Sequence, residues 1–130
     1  MSDVKGVILA VDDEIETRGM LVDYLEVRGY TVLSAGDANE ALRLLELHPE
    51  TGLLLTDVVM PGSMNGYDLA RHAERVRPGI RVVFMTAHAA ARLIGEAMLR
   101  PPIILQKPFW FEHLAQIVAT TFIPESAGAT

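Results

Sequence analysis

The chain contains no cysteine. That absence excludes disulfides, zinc–thiolate sites and thiol catalysis. It also has no basic run of five or more residues, and its formal net charge is −6 with an isoelectric point near 5.1. Phosphate backbones reward clustered Lys and Arg, so nucleic acid is not an expected partner. No uninterrupted apolar stretch approaches the roughly 20 residues that span a bilayer, so no membrane association is expected. The opening MSDVKGVILAVDDE holds an apolar stretch too short for a signal-peptide core, and three acids interrupt it. A cytoplasmic location is therefore the expectation. Internal repeats, low-complexity stretches and an interdomain linker are missing too, and no output domain is expected.

What remains is 130 residues, half of them apolar and 22% charged, which suits one domain able to bury a core. The apolar pattern alternates between two periods. Short, nearly continuous runs occur at Val7–Val11, Thr31–Ala35, Leu53–Thr56, Val82–Met85 and Ile103–Leu105. Such runs suit strands buried on both faces of a parallel sheet. Between them lie segments with helical spacing. In the first, Ile15, Leu21, Val22 and Leu25 fall near one face, and Gly29 stops it. The second opens at Asp37 with Glu40 three residues on, as in a capping box, and ends at Pro49. The third runs from Tyr67 to Val76, and the fourth from about His88 to Leu99, where it meets Arg100–Pro101–Pro102. The fifth spans Phe111 to Phe122. Five strand–helix units in strict alternation predict an α/β doubly wound sheet with helices on both faces. The domain is expected over 1–124, with 125–130 a disordered C-terminal tail.

In open α/β sheets, ligands bind beyond the carboxyl ends of the strands. The first strand ends in Asp12–Asp13–Glu14, the third in Asp57, the fourth in Thr86 and the fifth in Lys107–Pro108. Carboxylates, a hydroxyl and an ammonium therefore share one rim. Clustered carboxylates repel unless a cation neutralises them, and hard oxygen ligands without Cys or His select Mg²⁺. A carboxylate can attack phosphorus to give an aspartyl phosphate, with a Lys and a hydroxyl balancing the phosphoryl oxygens.

These features resemble the receiver domain of the bacterial two-component response-regulator family. VDDE at Val11–Glu14, LLLTDVVMPG at Leu53–Gly62, MTA at Met85–Ala87 and QKPF at Gln106–Phe109 carry the resemblance, in order and over nearly the whole chain. It implies a five-stranded parallel, flavodoxin-like sheet in the order 2-1-3-4-5 with five helices. It makes Asp57 the phosphoacceptor, with Thr86 and Lys107 on the phosphoryl oxygens. Asp12 and Asp13 become the acidic pocket that binds Mg²⁺ together with Asp57 and the backbone carbonyl of Val59. A cis Lys107–Pro108 bond is also implied. The implied donor is a sensor histidine kinase or a histidine phosphotransfer protein, and the output is a protein contact or onward phosphotransfer. A homodimer is compatible with this role, whereas conventional enzyme activity is not expected.

Several positions depart from the family pattern. Ile104 stands where many receivers carry Tyr or Phe, so any switch must read out differently. The loop Gly62–Gly66 is one residue longer than the common form, as in receivers attached to or partnered with hybrid kinases. The prolines at 101 and 102 should break the fourth helix early. Trp110 is either an anchor for a partner or core-edge packing, and His88 either tunes phosphoryl lifetime or simply starts a helix. His48, His72 and His113 read as surface residues, and Met60, Met64 and Met85 as packing or loop residues. Two other functions fit the chain less well. A Mg²⁺-dependent aspartyl-phosphate phosphatase would need a second acid and a cap, and a silent pseudo-receiver would not need the complete set of site residues.

Overall fold

A computed structural model describes residues 5–87 and 103–122 of the protein. The fourth expected helix, with His88 and the prolines at 101 and 102, lies outside those residues, as does the expected tail. In chain order the described elements are β1 (Val7–Val11), α1 (Ile15–Val27), β2 (Thr31–Ala35), α2 (Ala38–Leu47) and β3 (Leu53–Asp57). They continue with α3 (Gly66–Val76), β4 (Arg81–Thr86), β5 (Ile103–Gln106) and α4 (Phe111–Thr121). The five strands form one sheet in the order β2-β1-β3-β4-β5, and every pairing is parallel. Among the described residues no helix is long and apolar enough to cross a membrane.

Strand side chains alternate between faces, and here that alternation builds two cores. Leu9, Val11, Leu54, Val82 and Phe84 point to one side, where Ala41 and Leu45 of α2 and Leu69 and Ala73 of α3 cover them. Ile8, Leu53, Leu55, Val83, Met85 and Leu105 point to the other, under Leu21 and Leu25 of α1 and Leu114 and Val118 of α4. Both faces of the central strands are thus dry, which explains why their sequence reads as unbroken apolar runs.

The helix ends follow local chemistry. Gly29 adopts φ +100°, and its N–H donates to the Glu26 carbonyl while that of Tyr30 donates to Leu25. This is a Schellman closure, and the left-handed residue it needs is the expected glycine. At α2 the Asp37 side chain accepts from the Glu40 amide at 2.8 Å, as anticipated. Glu40 reaches one residue further back than a capping box requires, accepting from Gly36 N–H at 2.8 Å. A complete box caps α3 instead, between Asn65 and Asp68. Ile15 departs from its expected buried face and is 75% exposed. It occupies the first turn of α1, on the rim beyond Val11, where no sheet lies beneath it.

Gly66 connects fold to site. A Cβ there would overlap the carbonyl oxygen of Asp57 and come within 2.9 Å of the Val58 Cα, while its own N–H donates to the Val58 carbonyl at 2.8 Å. The start of α3 therefore packs directly on the backbone that carries Asp57, and only glycine leaves the space. Gly66→Ala is expected to cost about 2 kcal/mol of stability or more, because the obstruction is main chain that cannot rotate away. Urea unfolding of the variant against wild type measures that loss.

Candidate functional site

The parallel register brings the rim residues together. Val11 of β1 lies beside Thr56 of β3, so the next residues on each strand, Asp12 and Asp57, emerge side by side. Asp57 in turn pairs with Met85, and Thr86 with Gln106, which delivers Lys107 to the same end of the sheet. Carboxylate oxygens of Asp12, Asp13 and Asp57 lie within 4.8 Å of one another, the one such group of possible metal ligands among the described residues. His48, His72 and His113 take no part in it.

The members of the group differ in environment. Asp12 is fully buried, and its Oδ1 accepts the Glu14 amide at 2.9 Å. Its carbonyl accepts from Arg18 Nη1 at 2.7 Å, and its amide donates to the Ala35 carbonyl. Asp13 is exposed, and Asp57 is half-buried with its Oδ1 accepting the Val59 amide at 3.3 Å. The Lys107 ammonium donates to Asp57 Oδ2 at 2.8 Å and to Asp12 Oδ2 at 3.4 Å. Its peptide bond to Pro108 is cis, as expected, and its amide donates to the Thr86 carbonyl at 2.8 Å. Thr86 is fully buried on the same rim, but its hydroxyl donates to the Ala87 carbonyl at 3.1 Å.

Magnitudes show what the group lacks. At an effective dielectric near 20, full charges on Asp12 and Asp57 at the 4.8 Å limit repel by about 3.5 kcal/mol. The 2.8 Å contact of Lys107 with Asp57 attracts by about 6 kcal/mol on the same scale, before desolvation. Three carboxylates and one ammonium still leave a formal charge of −2, the complement of one divalent cation. All the side-chain donors on offer are carboxylate oxygens, the hard ligands Mg²⁺ prefers.

The remaining candidates separate. Trp110 is 80% exposed at the N-cap of α4, so core-edge packing does not describe it. Ile104 is 40% exposed on β5. The Val59 side chain is exposed in the loop after Asp57, and His88 lies outside the described residues. Met60 and Met85 are buried and Met64 packs against the core, as expected of packing residues. Gly66 and Arg18 touch the site although the sequence pattern singled out neither. A glycine in the first turn of a helix, behind a good Asn cap, was the available signal for close approach.

Burial lowers the proton affinity of Lys107, but hydrogen bonds and charge from Asp57, then Asp12, outweigh it and raise its pKa above the ordinary lysine value. The stabilisation this coupling gives is therefore complete below about pH 10.4, where an unfolded lysine titrates, and is lost as pH rises through the higher folded value. In a ¹³C NMR titration the Lys107 Cε midpoint is expected above that of a free lysine. Asp57→Asn should bring it down, since the burial stays and the main anionic partner goes. A midpoint unmoved by that substitution would contradict the coupling.

Comparison with known proteins agrees with this geometry. The family model described as "Response regulator receiver domain" matches residues 8–119. The response regulator receiver protein CpdR of Brucella abortus is 38% identical over 116 residues, covering 88% of this chain and 92% of CpdR. The sensor kinase CckA of the same organism is 36% identical over 124 residues, but the match spans 90% of this chain and only 13% of the kinase. A crystal structure of the CckA receiver domain superposes with a TM-score of 0.77 at 31% identity, covering 91% of this chain and all of that one. TrrA of Thermotoga maritima, solved in complex with Mg²⁺-BeF, gives a TM-score of 0.77 at 26% identity, with 89% and 98% covered. On the family match and these relatives, the chain belongs to the response regulator receiver domain family of two-component signalling, with the flavodoxin-like fold.

Proposed function

We propose that the protein accepts a phosphoryl group on Asp57 from a sensor histidine kinase or a histidine phosphotransfer protein and signals through protein contacts or onward transfer. The observation that carries this reading is the convergence of the Asp57 carboxylate with Lys107 at 2.8 Å inside a group of three carboxylates. An Oδ of Asp57 forms the new bond to phosphorus while the bond from phosphorus to the donor nitrogen breaks, and the departing nitrogen keeps the electron pair. Lys107 stands where it can balance charge on the phosphoryl oxygens. The Thr86 hydroxyl must leave the Ala87 carbonyl to join it. Asp12, Asp13, Asp57 and the Val59 carbonyl would hold Mg²⁺. When bound, that ion supplies neutralising charge at the transferring group.

The donor set fits such an ion, and the relative solved with Mg²⁺-BeF supports the same assignment. The likeness of this chain to CpdR over nearly the whole of both chains supports action as a separate receiver, and a cytoplasmic location suits that role. The exposed Trp110, three residues beyond Lys107, is proposed as a contact for the partner, whereas Ile104 offers no hydroxyl for a switch at its position.

Incubation with Mg²⁺ and a small phosphodonor is expected to give a single phosphoryl adduct by intact mass, absent in Asp57→Asn and in EDTA. Steady donor turnover without an adduct would instead identify an aspartyl-phosphate phosphatase. No adduct from any donor or from the cognate kinase would identify a silent interaction module.

A further inference from the structure

We propose that Arg18 is a positioning residue for Asp13, the exposed carboxylate of the site, a role that rests on the reading of the acidic rim as a Mg²⁺ site. Two peptide planes flank Asp13, and both are pinned. On the N-terminal side, Arg18 Nη1 donates to the Asp12 carbonyl at 2.7 Å. On the C-terminal side, the Glu14 amide donates to Asp12 Oδ1 at 2.9 Å. Asp13 itself has left the ladder of β1, which ends at Val11, and precedes α1, which begins at Ile15. Its side chain can be aimed only as well as those two planes are held.

Arg18 is placed for this by its own helix and by the end of β2. It sits in the first turn of α1, with its amide donating to the Glu14 carbonyl at 2.9 Å. Its guanidinium lies across Gly36, where a Cβ would approach Nη1 to 3.0 Å. Glu40 holds that same glycine through the amide hydrogen bond at 2.8 Å. The absence of a side chain at position 36 therefore leaves the arginine its route from α1 to the Asp12 carbonyl. A guanidinium suits the task because it is permanently charged and rigid, and hydrogen bonds from charged donors are the stronger ones.

The sign of the effect separates positioning from charge. A cation beside three carboxylates opposes the entry of a second cation, so removing Arg18 as a mere charge tightens Mg²⁺ binding. Removing it as a brace loosens the binding.

The test is an NMR titration with Mg²⁺, following the backbone amides of Asp13 and Val59, in wild type, Arg18→Met, Arg18→Lys and Gly36→Ala. Arg18→Met is expected to weaken Mg²⁺ about tenfold, the scale on which residues behind metal ligands act, while phosphorylation at saturating Mg²⁺ stays within about twofold of wild type. Arg18→Lys should recover part of the affinity, since an ammonium can still donate to the carbonyl. Gly36→Ala, which leaves Arg18 in place but crowds its path, should weaken Mg²⁺ in the same direction. Unchanged or tighter binding in Arg18→Met, or a lower rate at saturating Mg²⁺ with unchanged affinity, overturns the positioning role. A wild-type protein that binds no Mg²⁺ overturns the metal-site reading itself, and with it this one.

Discussion

A single ammonium group holds the rim of this sheet together. Lys107 arrives from β5, at one edge of the sheet, and bonds to carboxylates from β1 and β3 at its centre. Without that cation the buried Asp12 and half-buried Asp57 would face each other across a few ångströms of low dielectric, a cost that repulsion alone makes large. The rest of the architecture serves to make this meeting possible. Parallel pairing carries all the strand ends to one side, and the 2-1-3-4-5 order puts β1 and β3 next to each other. The turn from Lys107 into α4 then returns the chain to the core through Phe109 and Phe111.

The same contact explains why the site is incomplete as a set of charges. One lysine neutralises one carboxylate's worth of charge and shares itself between two. What it leaves over is spread across Asp13 and the outer face of Asp57, both accessible to solvent. The buried Asp12 is held in place by hydrogen bonds from the Glu14 amide and Lys107. The exposed part is open to exchange its partners. A receiver needs both, since a site that traded every contact at each event would not keep its geometry.

Much of this was legible in the residues. β1 and β2 coincide with their apolar runs and β3, β4 and β5 extend theirs by one residue at one or both ends, and in the central strands burial on both faces leaves no other pattern available. The rim residues Asp12, Asp13, Asp57, Thr86 and Lys107 could be read because each lies within two residues of the end of such a run. What escaped were contacts between main chain and side chain across the fold. Gly66 and the Asp57 carbonyl are nine positions apart with a loop between them, and no periodicity encodes their approach. Arg18 looks like any polar residue on a helix until the end of β2 is seen beneath it. Ile15 shows the opposite error, since helical spacing assigns a face but does not reveal where the sheet under that face ends.

At the other end of the sheet, Phe122 closes α4 by lying where two glycines leave room. A Cβ on Gly6 would sit 2.8 Å from its ring, and one on Gly52 would sit 3.0 Å away. The ring also stacks on Tyr30, at the entrance to β2. These positions, far apart along the chain, form one steric unit, and that constrains the order in which they can change during evolution. A side chain at Gly52 requires the ring to give way, whereas one at Gly6, where φ is +155°, stays strained even once the ring is gone. Divergence among relatives should therefore relax position 52 along with position 122, while position 6 keeps its glycine on backbone grounds alone.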